Sequence, residues 1–292
     1  MKRVTAIITT HKREPNILKR AILSVLNQTY GNLEIIVVDD SPAEYPKREE
    51  VKAMVASFGD KVLYIQHEAC RGACAARNTG IEHSTGEFIA FLDDDDEWLP
   101  EKIEKQYAKF TDDDIALVYC GEICINDETG EKTLLDRSYS AENPFHRLML
   151  SNFIGSTSMP LIRASALKGV GGFDVLMESA QDYDVWARLA AKYKIACVAE
   201  PLILFHNHGN ERISKSTQRR INGLERFYSK NKEYIDSHRD AYWNYSIRLS
   251  PIYGANGQKL KALRYWARAV IKQPLEIIEN IRYLSYIVRG LY

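Results

Sequence analysis

An apolar run, Phe88-Ile89-Ala90-Phe91-Leu92, stops against four consecutive carboxylates, Asp93, Asp94, Asp95 and Asp96. Neighbouring carboxylates repel one another, so a fold that keeps four at a strand end must relieve them with water, a cation or a basic ligand. Hard oxygen donors favour Mg²⁺ or Mn²⁺, and Mg²⁺ is usually held by one or two carboxylates together with substrate phosphates. The plainer reading is a solvated acidic loop. Position favours a site, because ligands of open α/β sheets bind outside the carboxyl ends of the strands.

Two familiar phosphate cradles are missing from the chain: there is no G-x-x-x-x-G-K-[ST] and no G-x-G-x-x-G. Nucleotide phosphates on this sheet must therefore be neutralised another way, and a carboxylate-held metal ion is the natural candidate. The absence of G-x-S-x-G and H-E-x-x-H argues against a serine hydrolase or a zinc protease. With 39 basic and 39 acidic residues, the chain has no overall preference for polyanions. The charge is uneven, however: residues 241 to 292 carry a net +6 and residues 1 to 240 a net −6.

The elements that must position these residues are legible in the spacing. Val4 to Thr9 reads as a buried first strand, and Ile17, Leu18, Ala21, Ile22, Val25 and Leu26 share one face of a helix that Pro15 can begin. Leu33 to Val38 is a second strand ending at Asp39-Asp40, followed by a helix through Val51, Met54, Val55 and Phe58 and a third strand at Val62 to Gln66. A small-residue helix opens after Gly72, and another helix is expected from Trp98. Further strands are expected at Ile115 to Ile125, Ser156 to Ile162 and Ile195 to Phe205, with Pro201 marking a break or an edge, and a loop from Lys132 to Pro144. A glycine-rich turn spans Gly169 to Asp174, and a helix begins at Gln181-Asp182. Strand alternating with helix from the first residues predicts an α/β fold with a mostly parallel sheet wrapped by helices. The pattern becomes purely helical after Ser214, which puts a domain boundary near residue 215.

The five cysteines, Cys70, Cys74, Cys120, Cys124 and Cys197, sit among apolar or small residues and read as reduced, buried thiols. Neither a signal peptide nor an eighteen-residue apolar run is visible, so a cytoplasmic protein is expected.

Six segments in order resemble family 2 glycosyltransferases. They are Val4 to His11, Leu33 to Ser41, Ala76-Arg-Asn-Thr-Gly80, Gly86 to Asp96, Gly171-Gly-Phe-Asp174 and Gln181-Asp-Tyr-Asp-Val-Trp186. The resemblance covers about residue 3 to about residue 214 and implies a GT-A fold: a Rossmann-like, mixed, mostly parallel sheet. It also implies an inverting transfer of a sugar from a nucleoside diphosphate donor. Carried over by position, Thr9 and His11 line the nucleotide pocket and Asp39 accepts a hydrogen bond from the base, which suits the imide of uracil and hence a UDP-sugar. Arg71 and Arg77 approach base or phosphates. Of the two overlapping D-x-D registers, Asp95 binds Mn²⁺ or Mg²⁺ while Asp93 or Asp94 faces the ribose, and Asp96 is left to cap the next helix. His208 is a candidate third metal or phosphate contact, with a simply solvated histidine as the alternative, and the role of His206 is left open. Asp182 is the catalytic base, with Gln181 where the family often has glutamate and Asp184 as the residue most easily mistaken for the base.

The resemblance further implies a glycan or lipid-linked acceptor and a role in surface polysaccharide synthesis. Residues 216 to 292 then form a helical region. Its net positive charge and the nine aromatics of residues 241 to 292 suit an anionic membrane surface. Packing of those aromatics against one another is the alternative, and no nucleic-acid-binding module is visible. Two other functions fit parts of the pattern: a sugar nucleotidyltransferase, which would want a glycine-rich loop after the first strand, and a silent nucleotide-sugar-binding scaffold.

Overall fold

Apolar, β-branched runs buried on both faces make the central strands of this protein. Val4, Ala6, Ile7, Ile8, Ile36, Val37, Val38, Ile89 and Ala90 are wholly shielded from solvent, which is the signature of strands covered by helices on each side. The structure, a computed structural model, describes residues 1–135, 142–207 and 216–289. The chain divides into two units: Met1–Pro144, Phe153–Val175 and Val185–Gly209 form the first, and Phe145–Asn152, Leu176–Asp184 and Asn210–Tyr292 form the second.

In the first unit the strands are β1 (Val4–Thr10), β2 (Leu33–Asp39), β3 (Val62–Gln66), β4 (Phe88–Asp93), β5 (Glu97–Trp98), β6 (Ile115–Asn126), β7 (Lys132–Leu135), β8 (Leu161–Arg163) and β9 (Lys194–Asn207). Their order in the sheet is β3-β2-β1-β4-β8-β6-β9-β5, with β7 pairing β6. The β3-β2-β1-β4 half is parallel, β8 runs antiparallel to both β4 and β6, and β9 is parallel to β6. This is the mixed, mostly parallel sheet that the resemblance implies. Register shifts in the β6 to β9 pairing at Gly121 accompany Pro201, which cannot donate to the ladder.

Helices α1 (Pro15–Leu26), α2 (Arg48–Ala56), α3 (Ala73–His83), α4 (Lys102–Tyr107), α5 (Pro144–Leu150), α6 (Ala164–Gly169) and α7 (Gln181–Ala190) alternate with the strands. Leu18, Ala21, Ile22 and Val25 of α1 are fully buried at helical spacing, and Pro15 opens the helix where its missing N–H is harmless. In α3 the small residues have a specific reason. A Cβ added at Gly80 would meet Ile7 Cγ2 at 2.4 Å, so glycine lets this helix lie directly on β1.

The helix expected from Trp98 starts later. Glu97 and Trp98 pair as β5 with Ile203 and Leu204 of β9, and α4 begins only at Lys102. The expected loop over Lys132 to Pro144 contains β7, and the strand expected over Ser156 to Ile162 is confined to β8.

The second unit contains α8 (Thr217–Lys230), α9 (Lys232–Ser237), α10 (Arg239–Ala255), α11 (Lys259–Lys272) and α12 (Ile277–Arg289). Its core joins Ile221, Leu249, Ile252, Tyr253, Ala262 and Ile287, with Tyr245, Tyr265 and Trp266 packed against them. The indole N–H groups of Trp243 and Trp266 donate to Asn280 at 3.1 and 2.7 Å. These aromatics therefore hold the helices together. No helix among the described residues is long and apolar enough to cross a membrane.

Candidate active site

The parallel half of the sheet delivers its polar residues to one edge. Register aligns Gln66 of β3 with Asp39 of β2, Asp39 with Thr10 of β1, and Thr9 with Asp93 of β4. Beyond β4 the chain keeps its alternation: Asp93, Asp95 and Glu97 are half-buried, while Asp94, Asp96 and Trp98 are buried. Two kinds of aspartate thus arise from one acidic run.

The inward pair is fully engaged. Asp94 accepts from the Thr10 hydroxyl at 2.6 Å and from the Arg13 guanidinium at 2.7 to 2.8 Å. Its pKa is raised because burial outweighs the opposing pull of Arg13. Asp96 accepts from the Ser158 hydroxyl at 2.7 Å and does not cap a helix. Burial, with Asp93 and Asp95 beside it, pushes its pKa well above the ordinary carboxylate range.

The outward pair is more open. Arg13 also reaches Asp95 Oδ2 at 2.9 Å, and Arg20 donates to the Asp95 carbonyl at 2.7 Å. Burial works against the charge on Arg13, but Asp94, Asp95 and Asp93 overcome it and raise its pKa. Asp93 accepts from Arg77 at 3.0 Å and from the Thr157 hydroxyl at 2.9 Å. Arg77 itself is buried, with its guanidinium 5.3 Å from the Phe173 ring centre.

Asp39 is shielded from solvent. One carboxylate oxygen accepts from the Ser41 N–H at 2.8 Å and the other from the Tyr64 hydroxyl at 2.7 Å. Asp40 is the organiser of the neighbouring loop. Its carboxylate takes the N–H groups of Arg71 and Gly72, each at 2.7 Å, and lies 2.7 Å from His67 Nδ1 and 3.3 Å from Cys70 Sγ. These bonds hold its pKa below the usual value although burial pushes the other way. Gly72, at φ +88°, makes the turn into α3 that a side chain would strain. Thr9 is half-buried, His11 is exposed with Nδ1 2.9 Å from the Asp40 carbonyl oxygen, and the Arg71 side chain is exposed.

Cys70 departs from the expectation of buried thiols, for it is exposed beside His11 and Asp40, because the loop it occupies is pinned at the sheet edge rather than packed beneath a helix. His206, to which the sequence assigns no role, is enclosed by the fold. It is buried between Asp127 and Glu97, with ring nitrogens 2.8 and 2.9 Å from their carboxylates. His208 lies outside the described residues.

In the second unit, Asp182 stands in the first turn of α7, half-buried, and accepts from Asn152 Nδ2 at 3.2 Å. It lines a cavity of about 200 Å³ with Asn152, Tyr183, Arg220, Asn244 and Arg248 among its walls. Asp184 is buried with Lys230 Nζ 2.5 Å from its carboxylate, a charge pair that fixes it in the structure. Asp182 lines this cavity and Asp184 is not among its walls.

Sequence reasoning missed Thr10, Arg13, Asp40, His67 and Ser158. Arg13 had a visible signal: a cation in the loop after β1 answers the need for positive charge opposite four carboxylates. Three metal-competent side chains converge within 4.8 Å, among the described residues, only at His11, Asp40 and Cys70. The Asp93 and Asp95 pair offers two hard oxygen donors, which suits Mg²⁺ or Mn²⁺ when substrate phosphates complete the shell.

A mixed sheet with carboxylates gathered at the ends of its parallel strands defines a GT-A nucleotide-sugar transferase fold, and the sequence comparisons agree. The family model for glycosyl transferase family 2 matches residues 5–171, and the chain belongs to that family. A protein of Escherichia coli (strain K12), provisionally named the colanic acid biosynthesis glycosyl transferase WcaA, is 31% identical over 237 residues. That alignment covers 78% of this chain and 81% of the relative. The Escherichia coli UDP-Glc:alpha-D-GlcNAc-diphosphoundecaprenol beta-1,3-glucosyltransferase WfgD is 27% identical over 197 residues, 67% of this chain and 72% of that one. In fold alone, the chain is similar to the mannosyltransferase PcManGT from Pyrobaculum calidifontis, solved in complex with GDP-Man and Mn²⁺. The TM-score is 0.62 at 17% identity, over 99% of this chain and 86% of the other.

Proposed function

We propose that this family 2 glycosyltransferase is a metal-dependent, inverting enzyme. It moves a sugar from a UDP-linked donor to a glycan or lipid-linked acceptor in cell-surface polysaccharide synthesis. The observation that carries the reading is the division of labour in the acidic run: Asp94 and Asp96 are buried and spoken for, while Asp93 and Asp95 stay accessible beside two arginines. Residues 1–215 carry the donor and catalytic chemistry and residues 216–292 a helical accessory region. The UDP donor and the diphospholipid-linked acceptor are supported by the relative WfgD, and Mn²⁺ by PcManGT.

On this reading Asp95 and Asp93 hold the cation. When bound, a divalent cation supplies Lewis acidity to the departing diphosphate. Arg13 holds Asp94 and Asp95 in place by direct hydrogen bonds, and Asp40 fixes the Arg71-Gly72 backbone at the edge of the nucleotide pocket. Thr9, His11, Asp39, Arg71 and Arg77 bound the nucleotide. Both Asp39 oxygens are occupied and shielded from solvent, so Asp39 reads an imide N–H by exchanging the Tyr64 hydroxyl for the base.

Asp182 takes the proton from the acceptor hydroxyl as that oxygen attacks the anomeric carbon. The new glycosidic C–O bond forms as the sugar–diphosphate C–O bond breaks, and the electron pair leaves with UDP. Attack opposite the leaving group inverts the anomeric carbon. Asn152 orients the Asp182 carboxylate.

The test is UDP release from UDP-glucose with Mn²⁺ and diphosphoundecaprenol-linked GlcNAc. Asp182→Asn is expected to lower turnover at least about 100-fold with UDP affinity unchanged. Equal turnover in Asp182→Asn would remove the base from this account.

A further inference from the structure

Tyr245, Tyr253, Tyr265 and Trp266 pack into the core of the C-terminal helices, yet many of the large aliphatics around the last two helices do not. Leu260, Ile271, Leu275, Ile278, Ile281 and Val288 each keep 61% or more of their surface in solvent. On α11 the exposed Leu260, Leu263 and Ile271 fall at i, i+3 and i+11, on one helical face. On α12 Ile278, Ile281 and Val288 follow the same rule at i, i+3 and i+10. The turn between them adds Leu275, 90% exposed, so two apolar stripes meet at one uncovered bend.

Exposed aliphatics in such number are unusual on a soluble surface and mark a contact. The charges around them say with what. α11 carries Lys259, Lys261, Arg264, Arg268 and Lys272 and no acidic residue at all. Arg264 and Arg268 are exposed beside the apolar stripe. The same face pairs aliphatic side chains for the acyl boundary with cations for phosphate headgroups, which is how a helix lies in a bilayer interface without crossing it.

We propose that α11, α12 and the bend between them form a docking surface for an anionic phospholipid bilayer. The aliphatics enter the interface and the α11 cations meet the headgroups. Neither helix is long and apolar enough to span, so the attachment is peripheral and reversible. Its value to a lipid-linked acceptor rests on the function proposed above; the attachment itself does not.

Flotation of the full chain with vesicles tests this, comparing phosphatidylcholine mixed with phosphatidylglycerol against phosphatidylcholine alone. The expected result is binding to the anionic vesicles, released by high salt, with much weaker binding to the neutral ones. Ile278→Glu is expected to reduce the bound fraction about tenfold and Arg268→Gln about fivefold. Both positions are exposed, and UDP binding and circular dichroism check that each variant is folded. Failure of the folded wild type to float, equal binding to neutral vesicles, or unchanged binding of both variants would each overturn the proposal. So would a wild type that self-associates through this face, with Ile278→Glu restoring the monomer, while ignoring vesicles.

Discussion

Arg13 is the residue on which the acidic strand end depends. Its guanidinium answers Asp94, which is buried, and Asp95, which is not. Removing one partner of a buried pair leaves an uncompensated charge and costs about 3 kcal/mol or more. Arg13→Gln is therefore expected to lose about 3 kcal/mol in urea unfolding at pH 7. The loss should shrink on acidification. Burial already raises the Asp94 pKa, and without Arg13 it rises further, so the folded state binds a proton that the unfolded state does not. Stability of the variant thus falls as pH climbs from the unfolded pKa to the folded one. A penalty independent of pH would mean that Arg13 acts by packing alone. The sequence announced the carboxylates here but not their sorting. Which register faces outward was decided by the turn that follows β4, closed by the Asp96 N–H donating to the Asp93 carbonyl at 3.0 Å, and nothing in four identical residues reveals that.

Among the elements, α4 and β5 illustrate what periodicity can miss. Trp98 was legible as a large apolar residue near a helix start, yet it belongs to a two-residue strand whose partner lies a hundred residues away in β9. Pairing over that distance leaves no local trace. The first residue of α4, Lys102, is buried; it donates to Gln106 Oε1 at 2.8 Å and sits 4.3 Å from the Trp98 ring centre. Burial lowers its pKa to about 8. Since the unfolded chain holds this proton up to the ordinary lysine pKa of about 10.4, stability should rise with pH between roughly 8 and 10, where the unfolded state binds more protons. The rise attributable to this one group is on the order of 3 kcal/mol. Lys102→Met is expected to flatten that segment of the stability profile. An unchanged profile would show that Lys102 stays solvated. By contrast β1, β2 and β4 were legible because strands buried on both faces are written as unbroken apolar runs.

At the scale of the whole molecule, charge and architecture divide the chain differently from composition alone. The basic tail was visible in the sequence, and so were its aromatics, but not that those aromatics would form a core with Ile221, Leu249 and Ala262 while aliphatics remained outside. Helical periodicity gives a face; it does not say which of two apolar faces a partner helix takes. Likewise the second unit gathers Phe145–Asn152 and Leu176–Asp184 with the C-terminal helices, a grouping that no local signal encodes. It puts Asn152 beside Asp182, a pairing across thirty residues. The polar edge of the parallel strands is different in kind, since its residues come from strand ends that the alternation of strand and helix already aligned.

On the proposed function, the accessible aspartates of the strand end bind a nucleoside diphosphate through a divalent cation. Calorimetric titration of UDP and of GDP, each with Mn²⁺ and with EDTA, on the wild type and on Asp95→Ala tests it most directly. Asp95 is half-buried and accepts a side-chain hydrogen bond from Arg13 alone among the described residues, so the variant should fold. UDP binding with Mn²⁺ is expected to exceed GDP binding, to disappear in EDTA and to fall at least tenfold in Asp95→Ala, about 1.4 kcal/mol or more. UDP binding that is indifferent to EDTA and to Asp95→Ala, or no binding of either nucleotide, would contradict it.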